Sequence, residues 1–76
     1  MREKMLAILH QARPDVDFEK EEKLIDEGIL DSFDIIAIVS EFNEEFEVDI
    51  DVDDLEPENF NTVDAMLELV KRLQTE

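Results

Sequence analysis

The chain has 76 residues, 23 Asp and Glu against 7 Lys and Arg, a formal net charge of −16 and no Cys. That length holds one domain, residues 1–76, and a hydrophobic fraction of 43% supplies one compact core rather than a disordered chain. The missing Cys excludes a disulfide scaffold, a thiolate zinc site and a Cys nucleophile; the acidity argues against nucleic acid, whose phosphates repel carboxylates, and for basic protein partners or cations.

Met1 to Ala12 sets Met5, Leu6, Leu9 and Ala12 on one helical face, and Pro14 stops that helix. A long connection follows from Arg13 to Asp31, in which Phe18, Leu24, Ile25, Ile29 and Leu30 can pin the chain to the core. Gly28, the single glycine, marks a turn that needs positive φ. The second helix gives the clearest pattern. Ile35, Ile38, Val39, Phe42 and Phe46 recur at helical spacing. Asp31 or Ser32 is its N-cap, and Asp34 in the first turn favours the positive end of the dipole. Val48 to Asp54 alternates like a strand but has no partner strand, so it reads as a loop. Leu55 to Phe60 holds one short helical turn. Thr62 caps a last helix with Val63, Met66, Leu67, Val70 and Leu73 inward and Lys71 and Arg72 in its last turns. The expected fold is all-α: a small four-helix bundle with a long first loop and a short third helix.

Few residues offer chemistry. Ser32 stands where loop meets helix, its hydroxyl on the rim beside free helix N–H groups; it is either an N-cap or an accessible reactive hydroxyl. It is no hydrolase nucleophile, because Leu30 and Asp34 occupy the flanking positions at which a G-x-S-x-G elbow needs glycine. The lone His10 reads as a surface residue on the first helix, which leaves no base with a neutral-range pKa. Asp49, Asp51 and Asp53 mimic the start of a calcium loop, but Asp54 replaces its turn glycine and Phe60 its bidentate Glu, so no ordered calcium or other metal site is expected. Between Leu24 and Val70 there is no Lys or Arg. The second helix is acidic wherever it is not apolar, which reads either as a solvated face or as an electrostatic docking surface for basic partners.

At these positions the sequence resembles the acyl carrier protein family, including the stand-alone aminoacyl and D-alanyl carriers. Leu24-Ile-Asp-Glu-Gly-Ile-Leu-Asp-Ser-Phe-Asp-Ile-Ile is similar to the family's attachment segment. The acidic helix with Glu44-Glu45-Phe46 resembles its recognition helix, and Asn61-Thr-Val-Asp-Ala the start of its last helix. The resemblance implies that a phosphopantetheinyl transferase moves 4′-phosphopantetheine from coenzyme A to Ser32. The thiol of that arm would then hold an acyl or aminoacyl group as a thioester, which lets a chain without Cys do sulfur chemistry. It implies a non-catalytic carrier, a substrate of loading ligases or synthases. Asp31 and Asp34 would engage basic residues of the transferase and later partners. Phe33 and Ile36 would lie within one helical turn of Ser32, with Phe33 near the rim and open to a partner, and Glu41, Glu44, Glu45 and Glu47 would add docking charge. Such exposed pairs contribute only about 0–1 kcal/mol each, which suits quick release. Phe33 replaces the usual Leu, Glu47 a common Gly and Asp51 a frequent Pro; Gly28-Ile-Leu-Asp-Ser with Glu58-Asn-Phe-Asn resembles the D-alanyl and dedicated carriers more than the central fatty-acid carrier. A monomer is expected. No apolar run approaches the about 20 residues of a membrane span, and no signal-peptide core is visible at the N-terminus, which with the lack of Cys fits the cytoplasm. The readings in competition are a D-alanyl carrier charged by an adenylating ligase, an acidic module that mimics nucleic acid, and a calcium sensor.

Overall fold

The structure, a computed structural model, describes residues 1–75. It is all-α: α1 (Arg2–Ala12), α2 (Ser32–Phe46), α3 (Pro57–Phe60) and α4 (Val63–Gln74), with a single 3₁₀ turn (Val52–Asp54) and no strand among the described residues. α1 packs on α2 and α4, α2 also meets α4, and α3 lies on α4. One apolar core joins them. Met5 and Leu9 come from α1, Ile38 and Phe42 from α2, Phe60 from α3, and Val63, Met66, Leu69 and Val70 from α4.

The apolar pattern of α2 buries as its spacing predicts, with Ile38, Phe42 and Phe46 inside and Ile35 and Val39 half-buried. On α4 the pattern is broader than a single stripe. Leu69, absent from the predicted set, is buried, while Leu67 and Leu73 are only half-buried. The reason is position: α4 is covered by three other helices, so its buried arc is wider than one line of residues. Thr62 caps α4 as expected, its hydroxyl accepting from the Ala65 N–H at 3.0 Å.

The long connection between α1 and α2 is a series of turns held by side chains. Val16, Phe18, Leu24 and Leu30 are buried in it, and Ile25 and Ile29 half-buried. Gly28 takes φ 71°, the left-handed conformation expected of it. The segment from Val48 onward does not pair as a strand. It runs into the 3₁₀ turn, which Asp51 caps by accepting from the Val52 N–H.

Glu47 ends α2 in the left-handed region, at φ 54° and ψ 45°. This is the position that helices commonly give to glycine. A side chain there costs about 1–2 kcal/mol of backbone strain, and the extra freedom of an unfolded glycine returns about 0.4–1 kcal/mol of that. Glu47→Gly is therefore expected to stabilise the fold by about 0.5–1 kcal/mol, read as a higher urea midpoint at unchanged m-value.

Candidate functional site

The site is the head of α2 and the loop that leads into it. Asp31 is the N-cap: its carboxylate accepts from the Asp34 N–H at 2.9 Å, and the Asp34 carboxylate accepts from the Asp31 N–H at 3.3 Å. This reciprocal capping box satisfies two of the helix's free donors. It also settles which of two residues is the cap. Ser32 is the first residue inside the helix, and its exposed hydroxyl takes no part in the box.

Two residues from elsewhere fix the entering loop. Asn61 accepts at its Oδ1 from the Ile25 N–H (2.9 Å) and the Asp26 N–H (3.1 Å), and its carbonyl accepts from the Leu24 N–H at 3.1 Å. Arg13, just beyond α1, spends one terminal nitrogen on the Ile29 carbonyl (2.9 Å) and the Asp34 carboxylate (2.8 Å). Its remaining donors grip both Asp15 oxygens at 3.0 and 2.9 Å. Its hydrogen bonds to the Asp15 and Asp34 carboxylates raise the Arg13 pKa further above its ordinary value. The bond from Arg13 in turn holds the Asp15 carboxyl below the usual carboxylate range. Neither Arg13 nor Asn61 was legible as a site residue. Their partners on this loop and at the head of α2 lie 16–37 positions away, and no local spacing encodes such pairs.

Beside Ser32 runs an apolar groove of about 450 Å³ between the head of α2 and the α3 segment. Ile35, Ile36, Leu55, Pro57 and Phe60 contribute to its walls. Glu56 stands at its edge, where a hydrogen bond with Glu58 pushes the Glu56 carboxyl above the usual range. Phe33 is 83% exposed and Ile36 63% exposed, far more than buried apolar residues of the same helix. Of the acidic candidates, Asp31, Glu41, Glu44 and Glu47 are exposed, as is Glu45, which approaches Lys4 at 3.5 Å. Asp34 differs: its side chain is only 20% exposed and is engaged by Arg13. The sequence offered Asp34 to partners; the fold engages it internally.

His10 is exposed, with its ring edge-to-face against Phe18. In the calcium-like run, Asp51 and Asp54 form a capping box around the 3₁₀ turn, and among the described residues no group of three or more His, Asp or Glu converges as metal ligands. Mg²⁺ and Ca²⁺ are therefore expected to raise the thermal midpoint equally, by screening self-repulsion. A saturating far-UV circular dichroism change with micromolar Ca²⁺ alone would overturn this.

A small acidic bundle thus carries an exposed hydroxyl at the head of its second helix, with an apolar groove beside it. The chain matches the family described as phosphopantetheine attachment site over residues 2–70, and it belongs to that family. Among curated relatives, the D-alanyl carrier protein of Streptococcus uberis (strain ATCC BAA-854 / 0140J) is 37% identical over 60 residues, which is 79% of this chain and 76% of that protein. No solved structure matches significantly. The protein is thus a phosphopantetheine carrier, and the chemistry comes from the arm, whose thiol holds an acyl or aminoacyl group as a thioester. The site fits such a group: an exposed hydroxyl to bear it and an apolar groove alongside. No helix is long and apolar enough to cross a membrane among the described residues.

Proposed function

We propose that Ser32 is the residue that bears the 4′-phosphopantetheine arm, and that residues 1–76 act as one stand-alone carrier domain. The observation that carries this reading is the Ser32 hydroxyl, exposed at the first position of α2 and left free by a cap that Asp31 supplies. The positive end of a 15-residue helix favours a phosphodiester there, although the dipole contributes only about 0.3–1 kcal/mol. The chain catalyses nothing itself: it is the substrate of a phosphopantetheinyl transferase and then of a loading ligase or synthase. Asp31, Glu41, Glu44, Glu45 and Glu47 offer charge to basic docking surfaces, and Phe33 and Ile36 add apolar contact beside the arm. The carrier works as a monomer in the cytoplasm.

The S. uberis relative favours a more specific cargo, a D-alanyl group loaded by an adenylating ligase. The test takes the protein with coenzyme A, Mg²⁺ and a broad-specificity phosphopantetheinyl transferase and reads intact mass. One added phosphopantetheine per chain is expected. No gain, with a known carrier modified in parallel, would favour instead an acidic module that mimics nucleic acid. Incubating the loaded protein with a D-alanine-activating ligase and ATP then separates D-alanyl from other acyl cargo by the second mass increment.

A further inference from the structure

Two carboxylates flank Ser32, and the structure treats them differently. Asp31 is exposed. Asp34 is mostly covered, and its Oδ2 accepts from both the Asp31 N–H and the Arg13 guanidinium. The same Arg13 nitrogen holds the carbonyl of Ile29, three residues before Ser32, and the other arm of the fork is anchored on Asp15. One planar group therefore joins the end of α1, the loop that delivers Ser32 and the first turn of the helix that carries it. Arg is suited to this by its rigid fork of donors; Lys presents a point charge on a flexible stem.

In the transfer reaction the Ser32 oxygen attacks the phosphorus that carries pantetheine in the diphosphate of coenzyme A, the hydroxyl proton passes to a base of the transferase, and adenosine 3′,5′-bisphosphate leaves as the P–O bond breaks, so the orientation in which α2 presents the hydroxyl matters. Arg13 offsets the Asp34 charge at close range, in a position only partly open to solvent, where screening is weaker than at the free surface. Among the described residues Arg13 is the one cation paired with Asp34. We propose that Arg13 is a positioning residue for modification of Ser32, acting through Asp34, and that Asp34 serves the attachment helix rather than a docking enzyme. This rests on Ser32 being the attachment residue.

The two roles for Asp34 make opposite predictions. If Asp34 docks the transferase, Arg13→Ala frees its charge and lowers KM for the carrier. If Arg13 and Asp34 act as one positioning unit, removing either misorients Ser32 and lowers kcat with little change in KM. The experiment is steady-state transfer from coenzyme A with Mg²⁺, read by intact mass. It compares the parent with Arg13→Ala, Arg13→Lys, Asp34→Asn, the Arg13→Ala/Asp34→Asn double variant and Ser32→Ala. Thermal unfolding is followed in parallel, and all rates are taken well below each midpoint.

Arg13→Ala and Asp34→Asn are each expected to lower kcat about tenfold, the scale of a modest misplacement of a reacting group. The double variant should be no slower than the slower single one, as for two residues in one interaction. Arg13→Lys should recover part of the loss. Asp34→Asn keeps an oxygen for the Asp31 N–H, so it and Arg13→Lys carry the test if Arg13→Ala does not fold. Multiplying effects, a lowered KM in Arg13→Ala, or a lower thermal midpoint with kcat intact would each overturn the proposal. A Ser32→Ala protein that is still modified would remove the attachment reading and the proposal together. A Ser32→Ala protein that is inert beside unaffected Arg13 variants would remove the proposal alone.

Discussion

Ser32→Ala is expected to abolish phosphopantetheine loading while leaving the folded protein almost as stable as the parent. The two halves of that result come from one structural fact. Had Ser32 been the N-cap, its hydroxyl would have accepted a backbone N–H, and its loss would have cost about 1 kcal/mol. The cap is Asp31, bonded to the Asp34 N–H, and the exposed Ser32 hydroxyl lies outside that box. Alanine is also the better helix former, by less than about 0.7 kcal/mol. Intact mass should show no added phosphopantetheine, and the urea midpoint should move by less than the equivalent of about 0.5 kcal/mol, the range of an ordinary surface change. Asp31→Ala is the informative companion. It removes the cap and should cost about 0.5–2 kcal/mol. A Ser32→Ala protein that loses stability on the scale of Asp31→Ala would mean that the hydroxyl is structural after all.

Phe42→Ala is expected to have the largest effect on stability. The Phe42 ring is fully buried on α2 and meets the Phe46 ring edge-to-face at 5.7 Å between centroids. Truncation removes the apolar transfer energy and leaves a void, together about 3–5 kcal/mol. At ~0.05–0.15 kcal/mol per residue, a chain of this size has only about 4–11 kcal/mol in total. The variant should therefore keep at most about 8 kcal/mol, visible as a much lower urea midpoint. The self-repulsion of a chain at −16 makes it more fragile still at low salt. Ile36→Ala, on the same helix but 63% exposed, should stay within about 0.5 kcal/mol of the parent. Equal losses at the two positions would contradict the burial pattern of α2.

The contrast between Phe42 and Ile36 also shows what the sequence could disclose. Periodicity separates the inner face of α2 from its outer face, because helical spacing alone decides which residues share a side. The short α3 turn and the Thr62 cap were legible for the same local reason. Leu69 and Val16 were not, since their burial depends on how many neighbours surround α4 and the first loop. The ambiguity between Asp31 and Ser32 as cap could be resolved only by the reciprocal bond with Asp34. The candidate attachment residue was legible through its motif. The groove beside it needed the approach of Leu55, Pro57 and Phe60 to the head of α2, which no pattern in the chain announces. Arg13 read as the first residue of the long connection and Asn61 as the start of the last helix's motif. Each turned out to act on a segment far along the chain.

The Asn61 bonds also bear on timing. The loop that delivers Ser32 is held at Leu24, Ile25 and Asp26 by a residue that follows them by more than thirty positions. While the protein is being made, the segments that flank Ser32 emerge well before the residue that secures them. Local helix in α2 can form early, but contacts between distant positions close late. Ser32 lies near the middle of the chain, yet its surroundings are completed only when the start of the last helix arrives. An enzyme that reads the finished shape of this loop would therefore discriminate against an unfinished chain, and loading would mark molecules that have already folded.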